Sequence, residues 1–378
     1  MDPENFKLLL WCWGRRGASV RIAHEFASAW KKNPSVRLML SLSHQSELFA
    51  KTADPTLPSF HVDTFTGAMS ALYAAVRRLP SMRREAERFA WHCRPDVVVA
   101  VMRHVFGPAI LPVFRALGAR VLLIVHDATP HPGESYPFWR HHLRLDLAPT
   151  DGVIALSDHV RERLTVDYRY PPNRIWLASH HSMQFTGVPA HERQLPKDRP
   201  VRLLFFGRLL PYKGLDILVD AYTRLAARYP VSLTVAGSGD LGALAALAGR
   251  PDVRLERRWI QEDEIGRFLA EADILLVPYR EASQSGVVPS AYAAGLPVVA
   301  TPVGGLKEQV RHENTGLIAS SVDAAAFAAC VARLLDEPVL YHRCSKGALA
   351  LATGPLNIDT VTDYILTVAR YVATLPPR

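Results

Sequence analysis

Two basic residues, Arg208 and Lys213, flank a short turn in the segment FFGRLLPYKG, residues 205–214. The run 201–206, which includes the start of this segment, is apolar and long enough for a buried parallel strand. The stretch 215–229 after the turn has the spacing of an amphipathic helix. The two cations would then stand at a helix N-terminus, where free amide hydrogens and the helix dipole favour an anion. The turn therefore predicts a phosphate-binding site, with a pair of solvated surface charges as the alternative.

Strand-like and helix-like segments alternate along both halves of the chain. The strands predicted in the first half are 7–13, 36–42, 97–101, 120–125 and 152–156. After the polar, proline-containing stretch 186–200, further strands are predicted at 201–206, 231–236, 253–256, 274–277 and 297–300. This alternation is typical of an α/β protein with doubly wound parallel sheets.

The chain has 378 residues, which is too long for one typical domain and fits two. We expect one Rossmann-like domain over 1–190 and a second over 191–357. The helical stretch 358–373, in the terminal segment 358–378, is long enough to pack back on the first domain. Ligands of parallel sheets bind beyond the carboxyl ends of the strands. The loops at those ends are 14–17, 126–131, 207–214, 237–239 and 280–287, and we expect them to converge on one site.

Several motifs of the second half resemble glycosyltransferase family 4. They are FFGRLLPYKG, VAGSGDLG, ADILLVPYREASQSGVVPSAYAAGLPVVATPVGGLKEQV and ENTGLIA. In the first half the match is looser, but the loop 14–17 and the strand end 125–127 stand where the family has equivalents. The resemblance implies the GT-B fold, in which two Rossmann-like domains with parallel sheets face each other across a cleft. It also implies transfer of a sugar from a nucleoside diphosphate donor, with retention at the anomeric carbon.

The resemblance further implies roles for single residues. Arg208 and Lys213 are similar to the family's diphosphate-binding pair, and they would stabilise the charge on the leaving phosphate. His126 would orient and polarise the donor sugar without acting as a nucleophile, because the leaving phosphate takes the acceptor's proton. Other donor contacts are expected from Gly14, Gly17, Gly237, Gly239, Trp259, Ile260, Ser283, Gln284, Ser285, Gly286, Val287 and Ser290. His131 and the pair His180–His181 are weaker candidates, since a histidine near a turn is more often a surface or capping residue.

The chain departs from the family where many members carry two glutamates separated by seven residues. Strict register places Ala282 at the first of these positions and Ser290 at the second. Glu281 lies one residue early and would reach the sugar through a local bulge. We therefore expect retained diphosphate binding with altered sugar or ribose contacts, and we assign Glu281 to the catalytic set.

No cofactor is expected beyond the nucleotide sugar itself. A D-x-D sequence is absent, so the sequence does not indicate a metal that bridges the diphosphate, and cationic side chains would take its place. The four cysteines are scattered without a C-x-x-C pair, which argues against a zinc site or a disulfide framework. With no signal-peptide pattern either, we expect a cytoplasmic protein.

Most of the net charge of +8 lies in the first half, since residues 1–190 carry 23 Lys or Arg and 16 Asp or Glu, an excess of +7. It is densest in Ala68 to Arg94, where Arg77, Arg78, Arg83, Arg84 and Arg88 interleave with Leu72, Tyr73, Val76, Leu79, Met82, Phe89 and Trp91. Such a helix suits an anionic membrane surface, and the alternative is a solvated basic face. Docking there would make the protein peripheral to the cytoplasmic membrane, with a saccharide or lipid-linked glycan as acceptor in surface polysaccharide synthesis. Nucleic acid is not indicated, because no recognised binding module is present.

Three other functions compete with this interpretation. Residues 237–242 match G-x-G-x-x-G after a predicted strand, and Glu256 ends the next strand, as in an NAD-dependent oxidoreductase. Against it, the motif follows the second strand of its domain and not the first. The missing glutamates favour a non-catalytic donor-binding or scaffolding subunit. A GT-B sugar epimerase or phosphorylase shares the architecture but not the pattern of residues 283–305.

Overall fold

The computed structural model describes residues 5–133, 138–188 and 190–378, which form two compact units. Unit 1 comprises residues 5–129, 138–179 and 358–378, and unit 2 comprises residues 130–133, 180–188 and 190–357. Each unit contains a six-stranded sheet whose paired strands all run parallel. The predicted α/β class with two Rossmann-like sheets is confirmed.

Unit 1 is built on a sheet with the strand order β2-β1-β3-β4-β5-β6. Its strands are β1 (Phe6–Cys12), β2 (Val36–Leu42), β3 (Val97–Ala100), β4 (Arg120–Val125), β5 (Gly152–Ala155) and β6 (Ile175–Leu177). Its helices before residue 180 are α1 (Ala18–Lys31), α2 (Phe49–Thr52), α3 (Ala68–Tyr73), α4 (Leu79–Cys93), α5 (Gly107–Ala116), α6 (Trp139–Leu147) and α7 (Asp158–Tyr168). A π-helical segment, Ala74–Arg78, joins α3 to α4.

Unit 2 has the strand order β12-β11-β10-β7-β8-β9. Its strands are β7 (Val201–Phe206), β8 (Val231–Ala236), β9 (Val253–Glu256), β10 (Ile274–Val277), β11 (Val298–Ala300) and β12 (Gly316–Ile318). Its helices are α8 (Leu215–Ala226), α9 (Glu262–Glu271), α10 (Val287–Ala293), α11 (Leu306–Gln309), α12 (Ala324–Asp336) and α13 (Pro338–Thr353). Single 3-10 turns, Pro211–Lys213 and Gly242–Leu247, follow β7 and β8.

The central strands are apolar without alternation because both faces of each sheet are covered. Every residue of β3 (VVVA) and of β10 (ILLV) is buried. A strand that exposed one face would alternate apolar with polar residues, so continuous runs identify these strands in the sequence. The two strands that sequence inspection missed, β6 and β12, have only three residues each.

The order of the strands determines where each sheet opens a crevice. In unit 2 the chain starts at β7 and builds outward first through β8 and β9, then from β10 on the other side. The loops after β7 and β10 therefore leave in opposite directions from neighbouring strands, and ligands of doubly wound sheets bind at such a point. In unit 1 the corresponding strands are β1 and β3.

The C-terminal helix α14 (Ile358–Thr374) belongs to unit 1. One face of α14, including Ile365 and Ala369, is buried. The indole Nε1 of Trp30 in α1 donates to the carbonyl oxygen of Thr362 at 3.2 Å. This pairing of α1 with α14 attaches the last turns of the chain to the first domain.

The stretch after residue 180 packs as part of unit 2, so the division lies at 179/180, not at the expected 190/191. Arg193 is the reason, because its buried guanidinium donates to several backbone carbonyls. Nε donates to Ala294 O at 2.7 Å, and Nη1 donates to Ala272 O at 2.8 Å. A polar, proline-containing sequence resembles a linker, yet one buried arginine attaches it to the domain.

We expect Arg193→Met to lower the free energy of unfolding by about 3 kcal/mol, because several buried carbonyls lose their donor. Arg202→Met is the matched control, since the Arg202 side chain is exposed on β7. The control should change stability by less than about 0.5 kcal/mol. Urea denaturation of both variants measures the difference, and equal midpoints would contradict the structural role of Arg193.

Candidate functional site

Lys213 carries a buried positive charge at the crevice of unit 2. The residue is only 9% exposed. Its Nζ lies 3.7 Å from the ring centroid of Tyr279 and 4.9 Å from that of Tyr212. Throughout the described ranges, no carboxylate forms an ion pair with this ammonium. Two aromatic faces stabilise the cation, but no anion of the protein neutralises it.

Arg208 lies in the same turn but is exposed. The turn is fixed by its neighbour, since the Leu209 amide donates to Ser238 O in the loop after β8 at 2.8 Å. The structure therefore brings together the two predicted cations in one turn, with one buried at its base and the other at the surface.

The loop after β10 is bonded directly to this turn. The Arg280 amide donates to Tyr212 O at 2.8 Å, and the Arg280 side chain pairs with Asp216 in the first turn of α8. Hydrogen bonding to Arg280 lowers the pKa of Asp216. The φ of Gly214 is +66°, and a Cβ there would lie 1.8 Å from Pro278 O. Only glycine allows the two loops to approach this closely.

Glu281 and Ser283 meet a histidine that sequence inspection rated low. Nδ1 of His131 lies 3.2 Å from Glu281 Oε1, and Nε2 lies 3.4 Å from Ser283 Oγ. His131 and Ser283 are buried, whereas the Glu281 side chain is 43% exposed. The signal in the sequence is the position of His131 in the loop 126–131, after β4.

The remaining polar residues of the loop differ in what they offer a ligand. The Ser285 amide already donates to Gln309 Oε1 at 2.7 Å, so binding a phosphate there requires Gln309 to move. Ser290 Oγ donates to Gly286 O at 2.9 Å, inside its own helix. Gln284 Oε1 is buried and has no hydrogen-bond partner among the residues that the structure describes. Gly286 and Val287 stand at the start of α10, as predicted.

The first two glycines of the G-x-G-x-x-G motif serve packing between loops. A Cβ on Gly237 would lie 1.7 Å from Gly207 O, and one on Gly239 would lie 2.3 Å from Leu209 O. The motif is followed by the 3-10 turn 242–247 and not by the α-helix that a dinucleotide fingerprint opens. Glu256 is occupied too, since it pairs with Arg254. These contacts argue against the NAD-dependent alternative.

Two further predicted donor contacts lie near β9. Ile260 is buried in the hydrophobic core of unit 2, so it acts there as a core residue. Trp259 is half-buried. Of these two predicted donor contacts, Trp259 is the more accessible.

The loop 14–17 after β1 has local reasons for its glycines. Gly17 has φ +81° and precedes α1, and its amide donates to Glu47 Oε1 at 2.7 Å. A Cβ on Gly14 would lie 2.8 Å from Ser19 Oγ. The assignment of Gly14 and Gly17 to donor binding stays a prediction.

His126 lines a pocket of about 220 Å³ in unit 1, beyond the carboxyl ends of β3 and β4. The buried ring holds Nε2 3.0 Å from Val101 O, which fixes its orientation and places the proton on that nitrogen. Burial lowers the pKa of His104, on the same pocket wall, to about 3. Arg103 lies over the Trp139 ring, 4.6 Å from its centroid. The pocket offers an aromatic face and polar groups at its rim.

The basic stretch 68–94 is only partly the amphipathic face that the sequence predicted. Met82 is 3% exposed and packs in the core with Ala86 and Ala90, so α4 turns an apolar face inward. The exposed apolar residues lie mainly earlier, at Met69, Leu72, Tyr73 and Val76, with Trp91 farther along. We call Met69, Leu72, Tyr73 and Val76 the apolar stripe; their spacing of three and four residues is that of one helical face.

A larger pocket of about 420 Å³ lies at the opposite edge of the unit 2 sheet. It is lined by residues such as Arg202, Asp252 and Glu271 near the amino ends of β7, β8 and β9. Ligands of this class of sheet bind at the carboxyl edge, so size alone does not make it the site.

Two family models match the chain. Residues 36–180 match the model described as Glycosyltransferase Family 4, and residues 200–337 match the one described as Glycosyl transferases group 1. Both halves of the chain therefore match glycosyltransferase models, and each match covers less than half of the chain. The resemblance inferred from the motifs is therefore confirmed.

Curated relatives support the same family. D-inositol 3-phosphate glycosyltransferase of Arthrobacter sp. is 34% identical over 44% of this chain, and the match covers 40% of that protein. Alpha-D-kanosaminyltransferase of Streptomyces kanamyceticus is 23% identical over 81% of this chain and 83% of its own length. The chain thus spans about two fifths of the length of the Arthrobacter relative.

Solved structures share the fold at low identity. A glycosyltransferase from Rickettsia africae has a TM-score of 0.74 at 14% identity, covering 98% of this chain and all of that one. HepE of Anabaena, in complex with UDP, has a TM-score of 0.70 at 16% identity, covering 97% of this chain and all of that one. These likenesses confirm the GT-B fold.

We expect Gly237→Ala and Gly239→Ala to cost about 3 kcal/mol of stability or more, because their Cβ atoms would collide with backbone of the neighbouring turn. Gly242→Ala is the control within the same motif. Gly242 has φ +48° but open space around its Cβ position, so we expect a cost of about 1 kcal/mol. Chemical denaturation measures the loss of stability in each of the three variants. Equal losses would contradict a packing role for Gly237 and Gly239.

Proposed function

We propose that this protein transfers a sugar from a nucleoside diphosphate donor to a saccharide or lipid-linked glycan acceptor, with retention at the anomeric carbon. The observation that carries the proposal is the buried ammonium of Lys213, which stands at the crevice of the donor unit without a carboxylate partner in the described residues. The matches of both halves to glycosyltransferase models make sugar transfer the first function to test.

A buried cation without an anion is costly, since water is lost and nothing of opposite charge replaces it. The faces of Tyr212 and Tyr279 offset part of this cost. The negative charge of a bound diphosphate offsets the remaining cost. This charge grows as the bond to the sugar breaks. Lys213 therefore stabilises the leaving group more strongly in the transition state than in the bound donor.

Other residues complete the proposed donor site. Exposed Arg208 adds a second cation, with guanidinium geometry that suits phosphate oxygens. The orphaned acceptor Gln284 Oε1 accepts from a ribose or sugar hydroxyl. HepE was solved with UDP and with UDP-glucose, which makes this pair the first ligands to try.

In unit 1 we assign the pocket beside His126 to the acceptor and to the sugar edge. The Val101 carbonyl holds the imidazole in one orientation. His126 thereby orients and polarises the donor sugar, and the leaving phosphate receives the proton of the acceptor hydroxyl. Trp139 offers a face for an acceptor sugar ring.

We expect Lys213→Met to weaken nucleoside diphosphate binding about 100-fold while leaving the free energy of unfolding unchanged or raised, because an uncompensated buried charge is removed. Arg224→Met, a basic residue of the last turn of α8, is the control and should bind normally. Isothermal titration with UDP and GDP, together with urea denaturation, measures both quantities. Normal binding by Lys213→Met would refute the assignment.

We further propose that transfer needs no divalent metal. In the described parts of the chain, no three His, Cys, Asp or Glu side chains are grouped as a metal site. We expect turnover to persist in excess EDTA, because Lys213 and Arg208 neutralise the diphosphate. Loss of turnover in EDTA that manganese restores would contradict this.

The apolar stripe and the basic residues after it suit an anionic membrane surface, where a lipid-linked acceptor would lie. Met69 is 82% exposed, and Arg77, Arg83 and Arg84 are exposed nearby in sequence. Apolar side chains enter the headgroup boundary while arginines attract anionic lipid, each cation adding about 1 kcal/mol. No helix in the described ranges has both the length and the apolar character to cross a bilayer.

We expect wild-type protein to sediment with phosphatidylglycerol vesicles and not with phosphatidylcholine vesicles. Leu72→Ser combined with Val76→Ser should lower vesicle binding at least about tenfold, since apolar area is lost. Val166→Ser is the matched control, because Val166 on α7 of the same unit is a similarly exposed valine, at 60% against 66% for Val76. Equal binding to both vesicle types would contradict an electrostatic attraction between the basic residues and anionic lipid.

A donor-binding subunit without turnover is the second candidate, and the missing acids favour it. Ala282 and Ser290 occupy the two glutamate positions, and the Ser290 hydroxyl is bonded within its own helix. Hydrolysis or transfer from a bound nucleotide sugar, followed by release of the nucleoside diphosphate, separates the two functions. Tight binding of the nucleotide sugar without any release of the nucleoside diphosphate would favour a non-catalytic subunit.

A further inference from the structure

His131 packs with unit 2, although the longer segments before and after it in the sequence build unit 1. Residues 130–133 pack with unit 2. The His131 ring lies flat on that of Tyr212, with centroids 4.6 Å apart and planes 16° apart. Gly133, at φ +87°, approaches Pro211 so closely that a Cβ would lie 3.3 Å from its Cδ. This segment is therefore fitted to the turn that carries Lys213.

Both nitrogens of the buried imidazole face polar partners. The carboxylate of Glu281 only accepts hydrogen bonds, so Nδ1, at 3.2 Å, carries the proton and donates to it. In the neutral form of the ring, Nε2 then accepts from the Ser283 hydroxyl, at 3.4 Å. The three side chains form one directed chain, from Ser283 through His131 to Glu281.

These hydrogen bonds orient the Glu281 carboxylate and leave it able to accept further hydrogen bonds. An ionised carboxylate offers about four lone-pair sites, and one of them accepts from His131. The side chain is still 43% exposed, in contrast to buried His131 and Ser283. The remaining acceptor capacity is open to hydroxyl groups of a ligand.

The same histidine joins the carboxylate to the phosphate-binding cation. His131 stacks on Tyr212, and Tyr212 and Tyr279 hold Lys213 Nζ against their faces. The position of the Glu281 carboxylate is thus tied to that of the ammonium through packed rings. An anionic and a cationic group at a fixed separation match a sugar diphosphate, which has hydroxyl donors at one end and phosphate at the other.

We propose that His131 is a positioning residue for the donor sugar, which holds Glu281 so that sugar hydroxyls donate to its carboxylate. The inference rests on the proposed function and names a residue that deepens it. It also explains how a glutamate one position before the expected register serves the sugar, because His131 and Ser283 orient it where the backbone alone does not.

Three variants separate positioning from a merely structural role. His131→Phe keeps a flat ring for Tyr212 and loses both hydrogen bonds. His131→Asn places an amide donor near the former Nδ1 and restores the bond to Glu281. His342→Phe is the matched control, since His342 lies 3.2 Å from Glu192 in another His–Glu pair of unit 2.

The measurement is the dissociation constant of the full chain for UDP and for UDP-glucose, or for GDP and GDP-mannose if the uridine pair does not bind. We expect His131→Phe to weaken the nucleotide sugar about tenfold and the nucleoside diphosphate less than about twofold. His131→Asn should recover most of the loss, and His342→Phe should change neither constant. Adding His131→Phe to Glu281→Gln should have no further effect, because both remove one interaction.

The possible outcomes are distinct. If His131→Phe leaves the ratio of the two constants unchanged, whether both stay the same or both rise together, His131 does not position the sugar. Additive effects of His131→Phe and Glu281→Gln would also overturn the proposal that His131 positions Glu281. If the wild-type protein binds none of the four ligands, the proposed function fails first, independently of His131.

Discussion

A buried positive charge that the protein does not neutralise determines the character of the crevice in unit 2. Lys213 lies against the faces of Tyr212 and Tyr279, and no carboxylate in the described residues pairs with it. Such an arrangement lowers stability relative to an apolar residue of the same size, so its persistence calls for a functional reason. We propose that a diphosphate leaving group supplies that reason, and the surrounding loops keep the cation in place.

Those loops are held by backbone packed against backbone. Gly214 lies against Pro278, Gly237 against Gly207, and Gly239 against Leu209, at distances that exclude any Cβ. Two of the three glycines that look in sequence like a dinucleotide fingerprint, Gly237 and Gly239, therefore hold neighbouring turns together. Rigid turns keep Lys213, Glu281 and the start of α10 in fixed places before a ligand arrives, which is what electrostatic stabilisation of a leaving group needs.

The sequence predicted most of the sheet scaffold and the two cations but not the contacts that tune the site. Strands such as β3 and β10 were readable because parallel sheets buried on both faces require continuous apolar runs. The three-residue strands β6 and β12 lie at the edges of their sheets, whereas β11, which is equally short and was predicted, lies inside its sheet. Arg193 was missed and His131 was rated a weaker candidate for another reason, since each acts through partners distant in the chain that local sequence does not reveal. The family motifs located Glu281, whereas its orientation by His131 is visible only in three dimensions.

The most direct measurement is a crystal structure of the protein with a bound nucleoside diphosphate. The account predicts a phosphate oxygen about 2.8 Å from Lys213 Nζ, at the carboxyl ends of β7 and β10. A diphosphate bound elsewhere, for example in the pocket beside Arg202 at the amino ends of the strands, with Lys213 still enclosed by its two tyrosines, would contradict it.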